Sequence, residues 1–489
     1  MSSLPRRAAA GLVVAACACA SLSPLLTARY LPLLDAPNHL GAIATWRYFD
    51  DVRLGLAEHY SLHLRPVPYW GYFGLVRLWA EVIPLEWANK LFIALTVVGL
   101  PLALRAFLRA HGRPTWLALA GFPLAWNYNL ALGFIAFVAG VTCFVWGLVL
   151  LARLADELPG RGRWITIANS LVGIGIYFFH PIPFLLWLVT VAIYVPRRVV
   201  AVGFPALALF MGQAILAHEQ GLGSGPVDRG IDGQWLDLAS NLKAFRGYLF
   251  DFVTPGQQLW LVCSLLVSLG LATALVVRDS RRDLRPALLL LVLIVLYFVL
   301  PMQLRRPIDW WMINGRLAVV IALVSLACVP SGTLPGVRGV LVAAPLVLAA
   351  LLYPAAVAAR FADFDSRAED FRRIVTHLPH NPSVLTLVYP PLGDPAVNVD
   401  AWREFPSYVQ VERGGYNPWA WDDGFPMRAR PEAKKPAPPG HHPERFVYEL
   451  HGPHYEWFLT RNEPTGLFAK RSELQQVAEQ GAWKLWRRK

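Results

Sequence analysis

The sequence predicts a polytopic α-helical membrane protein of about 11 spans, followed by a small C-terminal α/β domain outside the membrane. Three observations lead there. Hydrophobic residues make up 55% of the 489 and charged residues only 16%, against about 25% charged in an ordinary soluble domain. Mean hydropathy is +0.41. Apolar runs of membrane length recur along the first three quarters, and the composition turns charged, aromatic and Pro-rich at about Arg360. These features exclude a disordered chain, a collagen and a simple cytosolic enzyme.

Crossing a hydrocarbon core of about 30 Å takes about 20 apolar helical residues. The runs that qualify are roughly 8–28, 86–108, 115–131, 132–152, 164–180, 182–196, 199–217, 259–277, 286–304, 312–329 and 338–359. The stretch 68–83 is apolar but carries Arg77 and Glu81, so it reads as an interfacial or re-entrant helix. The first run follows Arg6 and Arg7 and contains Ala18-Cys19-Ala20, a cleavage-like pattern. With further spans downstream, an uncleaved anchor is the simpler reading. The five cysteines lie in apolar runs and read as small buried hydrophobes.

Orientation follows from the short loops. With the N-terminus inside, the inner loops hold Arg105, Arg109, Arg113, Arg153, Arg161, Arg163, Arg197, Arg198, Arg278, Arg281, Arg282, Arg285 and Arg338. That asymmetry is the positive-inside signal. It leaves two long loops, 29–67 and 218–258, and the C-terminal domain on the outer face. The expected organisation is a membrane domain over 1–359 and an extracytoplasmic domain over 360–489, in a bacterial plasma (inner) membrane. The tail holds 18 basic and 17 acidic residues. All but one unit of the net charge of +12 therefore belongs to the membrane part. It is an insertion signal, which removes nucleic acid as a partner.

In the tail, Ser366 to Leu378 reads as a helix, with Phe371, Ile374, Val375 and Leu378 on one face. Val384 to Val388 reads as a buried strand. Arg430 to His442 is a Pro/Lys linker. Tyr455 to Thr460 and Trp483 to Trp486 read as strands. Ser472 to Glu479 reads as a helix stopped by Gly481.

Charged and polar groups at the outer membrane edge are the candidates for chemistry, because they are costly there. The first outer loop contains Leu34-Asp35-Ala36-Pro37-Asn38-His39-Leu40. Pro37 suits a first helical turn, and His39 lies one turn beyond Asp35. Asp35 is either a helix cap or a carboxylate held ready to accept a proton from a hydroxyl. Asp50 and Asp51 are either a solvated face or weak metal candidates. Arg305 and Arg306 at the outer end of one span and Arg316 at the start of the next suit phosphate; the alternative is snorkelling to headgroups and a pair with Asp309 for the first two, and a structural ion pair for Arg316. Asn127 and Asn129 lie at one outer turn and His180 at the next. Each of the three is either a sugar-binding group or an ordinary turn residue. Trp310 and Trp311 read as an interfacial aromatic belt. The sequence contains no Walker A, G-x-G-x-x-G, H-E-x-x-H or C-x-x-C pattern. It assigns no cofactor and leaves a divalent metal open.

One span, an Asp in the first outer loop before an interfacial helix, further spans and an outer α/β tail together resemble the GT-C superfamily of integral-membrane glycosyltransferases. Asp35-Ala36-Pro37-Asn38-His39 is similar to a D-x-P-x-H form of bacterial members. His454-Tyr455-Glu456-Trp457-Phe458-Leu459 and Gly481-Ala482-Trp483-Lys484-Leu485-Trp486 resemble the end of their C-terminal domain. The resemblance implies a sugar donor on a polyprenyl phosphate and a glycan, lipid or protein acceptor, with inversion at the anomeric carbon. It implies Asp35 as general base, with His39 either positioning Asp35 or touching the departing phosphate. Two other classes stay open: a flippase or transporter of a lipid-linked glycan, and a non-enzymatic scaffold with a binding domain outside.

Overall fold

The computed structural model describes residues 4–157, 162–219, 232–278, 283–306, 310–421, 425–439, 442–464 and 466–489. Arg161, Arg281, Arg282, Asp309, His441 and residues 220–231 of the loop 218–258 lie outside the described residues. The principal helices are α1 (Leu4–Thr27), α2 (Ala36–Arg47), α3 (Trp70–Trp79), α4 (Leu85–Ala110), α5 (Ile135–Ala155), α6 (Arg163–Phe179) and α7 (Pro181–Tyr194). They continue as α8 (Val199–Glu219), α9 (Leu238–Leu249), α10 (Pro255–Leu275), α11 (Arg285–Val299), α12 (Leu317–Ser325), α13 (Val337–Val375) and α14 (Ser407–Arg413).

Among the described residues, five helices are long and apolar enough to cross a membrane: α1 from Ala8, α4, α5, α10 and α13. A sixth forms if α7 and α8, bent by 116° at Pro196, count as one broken span. Three of the expected runs, 164–180, 286–304 and 312–329, form shorter apolar helices, Arg163–Phe179, Arg285–Val299 and Leu317–Cys328. The run 115–131 differs outright from expectation. It is a chain of one-turn pieces, Thr115–Ala120, Gly121–Ala125 and Tyr128–Ala131. Pro123 and the turn at Asn127 break it. Its backbone is packed inside the protein, where irregular structure at membrane depth is tolerated. Gly121 sits so close to α4 that a Cβ there would lie 2.7 Å from Pro101 Cα.

The stretch 68–83 forms α3, a helix of 10 residues too short to span. Helix α13 is continuous over 39 residues. It carries the chain from the membrane part into the tail, so 338–359 and the expected tail helix are one element. Phe361, Phe364 and Phe371 on it are fully buried. Cys17 is buried, whereas Cys19 and Cys263 are exposed on apolar helices rather than packed inside.

The loops and the tail are joined by short sheets. Strand β1 (Tyr60–Leu62) from the first loop pairs antiparallel with β6 (Met427–Ala429) from the tail. Between them in sequence, β2 (Asp232–Gln234), β3 (Gln303–Arg306) and β4 (Trp310–Trp311) form a three-stranded sheet. The tail is built on a four-stranded sheet in the order β8 (Leu474–Gln480), β9 (Trp483–Arg488), β7 (Trp457–Arg461), β5 (Val384–Val388). β5 and β7 run parallel, with Val384 beside Trp457. The segment expected as a helix at Ser472–Glu479 is instead strand β8. Its hairpin with β9 turns at Gly481 (φ +54), which also packs against Asp370 of α13. Ladder bonds to β9 outweigh the helix propensity of this Gln/Glu-rich segment. The expected linker 430–442 is largely exposed where described and is anchored at Lys435, whose Nζ donates to Ser383 Oγ at 2.7 Å.

Candidate functional site

Asp35 lies in the loop joining α1 to α2. The Leu34 N–H donates to Ala131 O (3.0 Å) and the Asp35 N–H to Leu132 O (3.1 Å). Gly133 permits this approach. Its φ is +81°, and a Cβ on it would lie 2.6 Å from Asp35 N. Gly133→Ala therefore adds both backbone strain and a clash with immobile backbone. The expected result is a loss of about 1–3 kcal/mol of stability, read as a lower Tm of the purified protein.

Pro37 stands in the first turn of α2, as its sequence position requires, yet the Asp35 side chain makes no capping hydrogen bond. Among the described residues no hydrogen bond or ion pair reaches its carboxylate. The residue keeps some exposed surface. Burial pushes its pKa well above the usual carboxylate range; Glu404 pushes the same way, while Arg316 and Arg403 oppose. An unpartnered carboxylate of raised basicity is what a general base needs.

His39 is buried and does not touch the Asp35 carboxylate. Its ring packs edge-to-face against Tyr72, Phe73 and Trp421 at 5.2–5.5 Å. Its hydrogen bond goes to the Gly133 backbone, and Nδ1 is buried without a partner. Burial lowers its pKa to about 4, so the ring is neutral. His39 thus steadies the turn on which Asp35 leans.

Arg316 immediately precedes α12. It is buried, with its guanidinium 4.1 Å from the centroid of Phe134. Its Nη1 lies 2.6 Å from His180 Nε2, and the Tyr69 hydroxyl accepts a further hydrogen bond. Among the described residues no carboxylate lies within ion-pair distance, and Nε has no partner. His180 is an incomplete partner. Its Nδ1 already accepts from Ile182 N (3.1 Å), capping α7. A neutral imidazole has one lone-pair nitrogen, so both contacts cannot be hydrogen bonds. A buried cation with neutral neighbours, beside Asp35, suits an anionic ligand.

Asn127 is a structural cap: its side chain accepts from Asn129 N (3.0 Å) and donates to Leu124 O (2.9 Å). Asn129 differs, since both of its amide atoms are buried and unpartnered. Arg305 is exposed on β3, and the Arg306 side chain lies outside the described residues. Asp50 is exposed, and Asp51 is bound by Arg53 (2.7 Å). Among the described residues no group of three His, Cys, Asp or Glu side chains could hold a metal ion.

The sequence reasoning missed Tyr69, Arg403 and Glu404. Tyr69 has φ +74°, which is strained for a non-glycine residue. Its N–H donates to Phe179 O (3.2 Å), and its ring lies edge-to-face on His180 at 5.3 Å. Glu404 is buried and accepts a hydrogen bond from Asn38 Nδ2, one turn into α2. The same Asn38 accepts from Ser407, which Asn417 contacts at 3.0 Å; Gln410 of α14 donates to Thr45 of α2 at 2.7 Å. This buried polar seam docks the tail onto the helix that follows Asp35.

No protein-family model matches the chain, and no curated protein matches it in sequence. Among solved structures, its fold is similar to that of the arabinofuranosyltransferase AftD from Mycobacteria, determined by single-particle cryo-EM. The match has a TM-score of 0.53 at 14% identity and covers 99% of this chain and 42% of that one. The chain thus spans less than half the length of AftD. At that identity the likeness speaks for the fold alone.

Proposed function

We propose that the chain is a membrane glycosyltransferase that moves a sugar from a polyprenyl-phosphate-linked donor to an acceptor hydroxyl on the outer face of a bacterial plasma membrane. The observation that carries this reading is the pairing of two unsatisfied groups: a carboxylate, Asp35, that caps nothing, and a buried guanidinium, Arg316, that has no carboxylate. The fold likeness to an arabinofuranosyltransferase supports the same class of reaction.

In the proposed step Asp35 takes the proton of the acceptor hydroxyl as its oxygen bonds to the anomeric carbon. The bond from that carbon to the phosphate oxygen breaks on the opposite face, and the electron pair leaves with polyprenyl phosphate. Arg316, braced by Tyr69 and His180, meets the charge on the leaving phosphate. Asn129 offers an unpartnered amide to a sugar hydroxyl.

The test is transfer by the purified protein in proteoliposomes, using radiolabelled polyprenyl-phosphate pentoses and hexoses with glycan and lipid acceptors. Transfer of label from one donor is expected. Movement of the donor across the bilayer without transfer would instead support a flippase.

Glu404 enters as a tuning group. Its charge raises the basicity of Asp35. Glu404→Gln keeps an acceptor for Asn38 but removes that charge. The pH–rate profile is then expected to move its acidic limb to lower pH, with transfer at neutral pH largely retained.

A further inference from the structure

A second site lies where α1 ends and α4 begins, at the membrane surface on the Asp35 side. There Leu26, Thr27, Ala28, Arg29, Pro84, Glu86, Trp87, Lys90 and Asp365 line a cavity of about 460 Å³. Its floor is Lys90, only 7% exposed although it carries a charge. The ammonium uses one of its three protons on Ala28 O (2.5 Å) and sits 4.7 Å from the centroid of Trp87. Among the described residues it has no ion-pair partner. A buried ammonium at the edge of a membrane normally has an anionic partner or reaches water.

The opposite wall is acidic. Asp365 Oδ1 accepts from the backbone N–H groups of Arg29 (2.8 Å) and Tyr30 (3.3 Å), while its Oδ2 takes no hydrogen bond from the described residues. Glu86 meets Arg29 only at 3.5 Å, because that guanidinium is engaged with Glu412 at 2.8 Å. The rim faces lipid. Leu26 and Trp87 are exposed there, and Leu91 and Leu95 continue the Trp87 stripe down the same face of α4.

We propose that this cavity binds the headgroup of a zwitterionic phospholipid with a primary ammonium, such as phosphatidylethanolamine. The phosphate sits on Lys90, the ammonium on Asp365 Oδ2 and Glu86, and an acyl chain lies along Trp87, Leu91 and Leu95. Charge selects this occupant. The lining carries two cations, Arg29 and Lys90, and two carboxylates, Glu86 and Asp365. Because Arg29 is already held by Glu412, the free groups are one cation and two carboxylates, and an anionic headgroup would bring a second net negative charge against the acidic wall. A choline headgroup has no N–H for Asp365, and the Trp87 ring that would receive it is already occupied by Lys90. This site is independent of the transfer reaction proposed above.

The test is native mass spectrometry of the delipidated full-length protein, mixed with equal amounts of phosphatidylethanolamine, phosphatidylglycerol and phosphatidylcholine. One phosphatidylethanolamine is expected to be retained in preference, and to raise the Tm. Lys90→Met and the milder, surface-lying Glu86→Gln are each expected to lower that retention about tenfold, the loss of one charge-assisted contact. Arg338→Gln, at the other end of α13, leaves it unchanged. Equal or better retention of phosphatidylglycerol or phosphatidylcholine overturns the proposal. So does undiminished phosphatidylethanolamine retention in the folded Glu86→Gln variant.

Discussion

Asp35→Asn is expected to lower sugar transfer by about 10²–10⁴-fold, the usual contribution of a general base, and at the same time to raise the Tm of the protein. The two effects come from one cause. Burial and the charge of Glu404 hold the Asp35 pKa well above that of a free aspartate. A carboxyl with a raised folded pKa binds a proton more tightly folded than unfolded. Between the unfolded and folded values, stability falls as pH rises. The penalty is fully present above the folded pKa and is relieved as pH drops through it. Asparagine carries no such charge, so at neutral pH the variant escapes the penalty while losing the base. The wild type has the matching pH profile: transfer fails as pH falls through the raised pKa of Asp35, at higher pH than a free aspartate would dictate. A variant that keeps near wild-type transfer, or that loses transfer together with its fold, would remove Asp35 from the role of base. Only a group kept for chemistry at the expense of stability gives activity loss with thermal gain.

How much of this site the sequence made legible depended on how local each signal was. Asp35, Pro37 and His39 were visible because Pro fixes the first turn of a helix and the spacing places His39 one turn on. Arg316 stood out as a charge against an apolar run. Glu404 and Arg403 gave no signal at all. They reach Asp35 from more than 360 residues away, through a seam of Asn38, Ser407, Gln410 and Thr45 that exists only once α14 docks on α2. Tyr69 was equally invisible, since nothing in Pro68-Tyr69-Trp70 announces a positive φ. At the level of fold, β5, β7 and β9 were legible from their apolar residues. β8 was not, because Leu474–Gln480 has the composition of a helix and is made a strand by the Gly481 hairpin. The run 115–131 was misread as a span because hydropathy cannot distinguish a membrane helix from broken pieces packed inside the protein. That error bears on the site, since the last of those pieces leads into the turn that holds Asp35.

Arg316→Met is expected to weaken donor binding by about 10–100-fold, the worth of one or two hydrogen bonds to a charged group, while leaving the Tm little changed. The argument turns on what surrounds the guanidinium. A buried arginine that serves the fold has a carboxylate, and deleting it strands that carboxylate at a cost of several kcal/mol. Arg316 instead faces Phe134, Phe137, Tyr69 and a His180 already committed to Ile182. Methionine fills much of the same volume and breaks no ion pair; what it removes is the longer-range attraction to Asp35, offset by relief of the buried cation's own desolvation. The loss should therefore appear in KM for the lipid-linked donor and in inhibition by free polyprenyl phosphate, both of which report the phosphate. Affinity for the acceptor should not change. Arg316→Lys separates charge from geometry, because an ammonium supplies the charge without the planar fork that grips two phosphate oxygens. It should recover part of the lost affinity and no more. Unchanged KM and unchanged product inhibition in Arg316→Met would show that the phosphate binds elsewhere. The exposed Arg305 would then be the next residue to replace. Full recovery by lysine would leave Arg316 as a source of positive potential only.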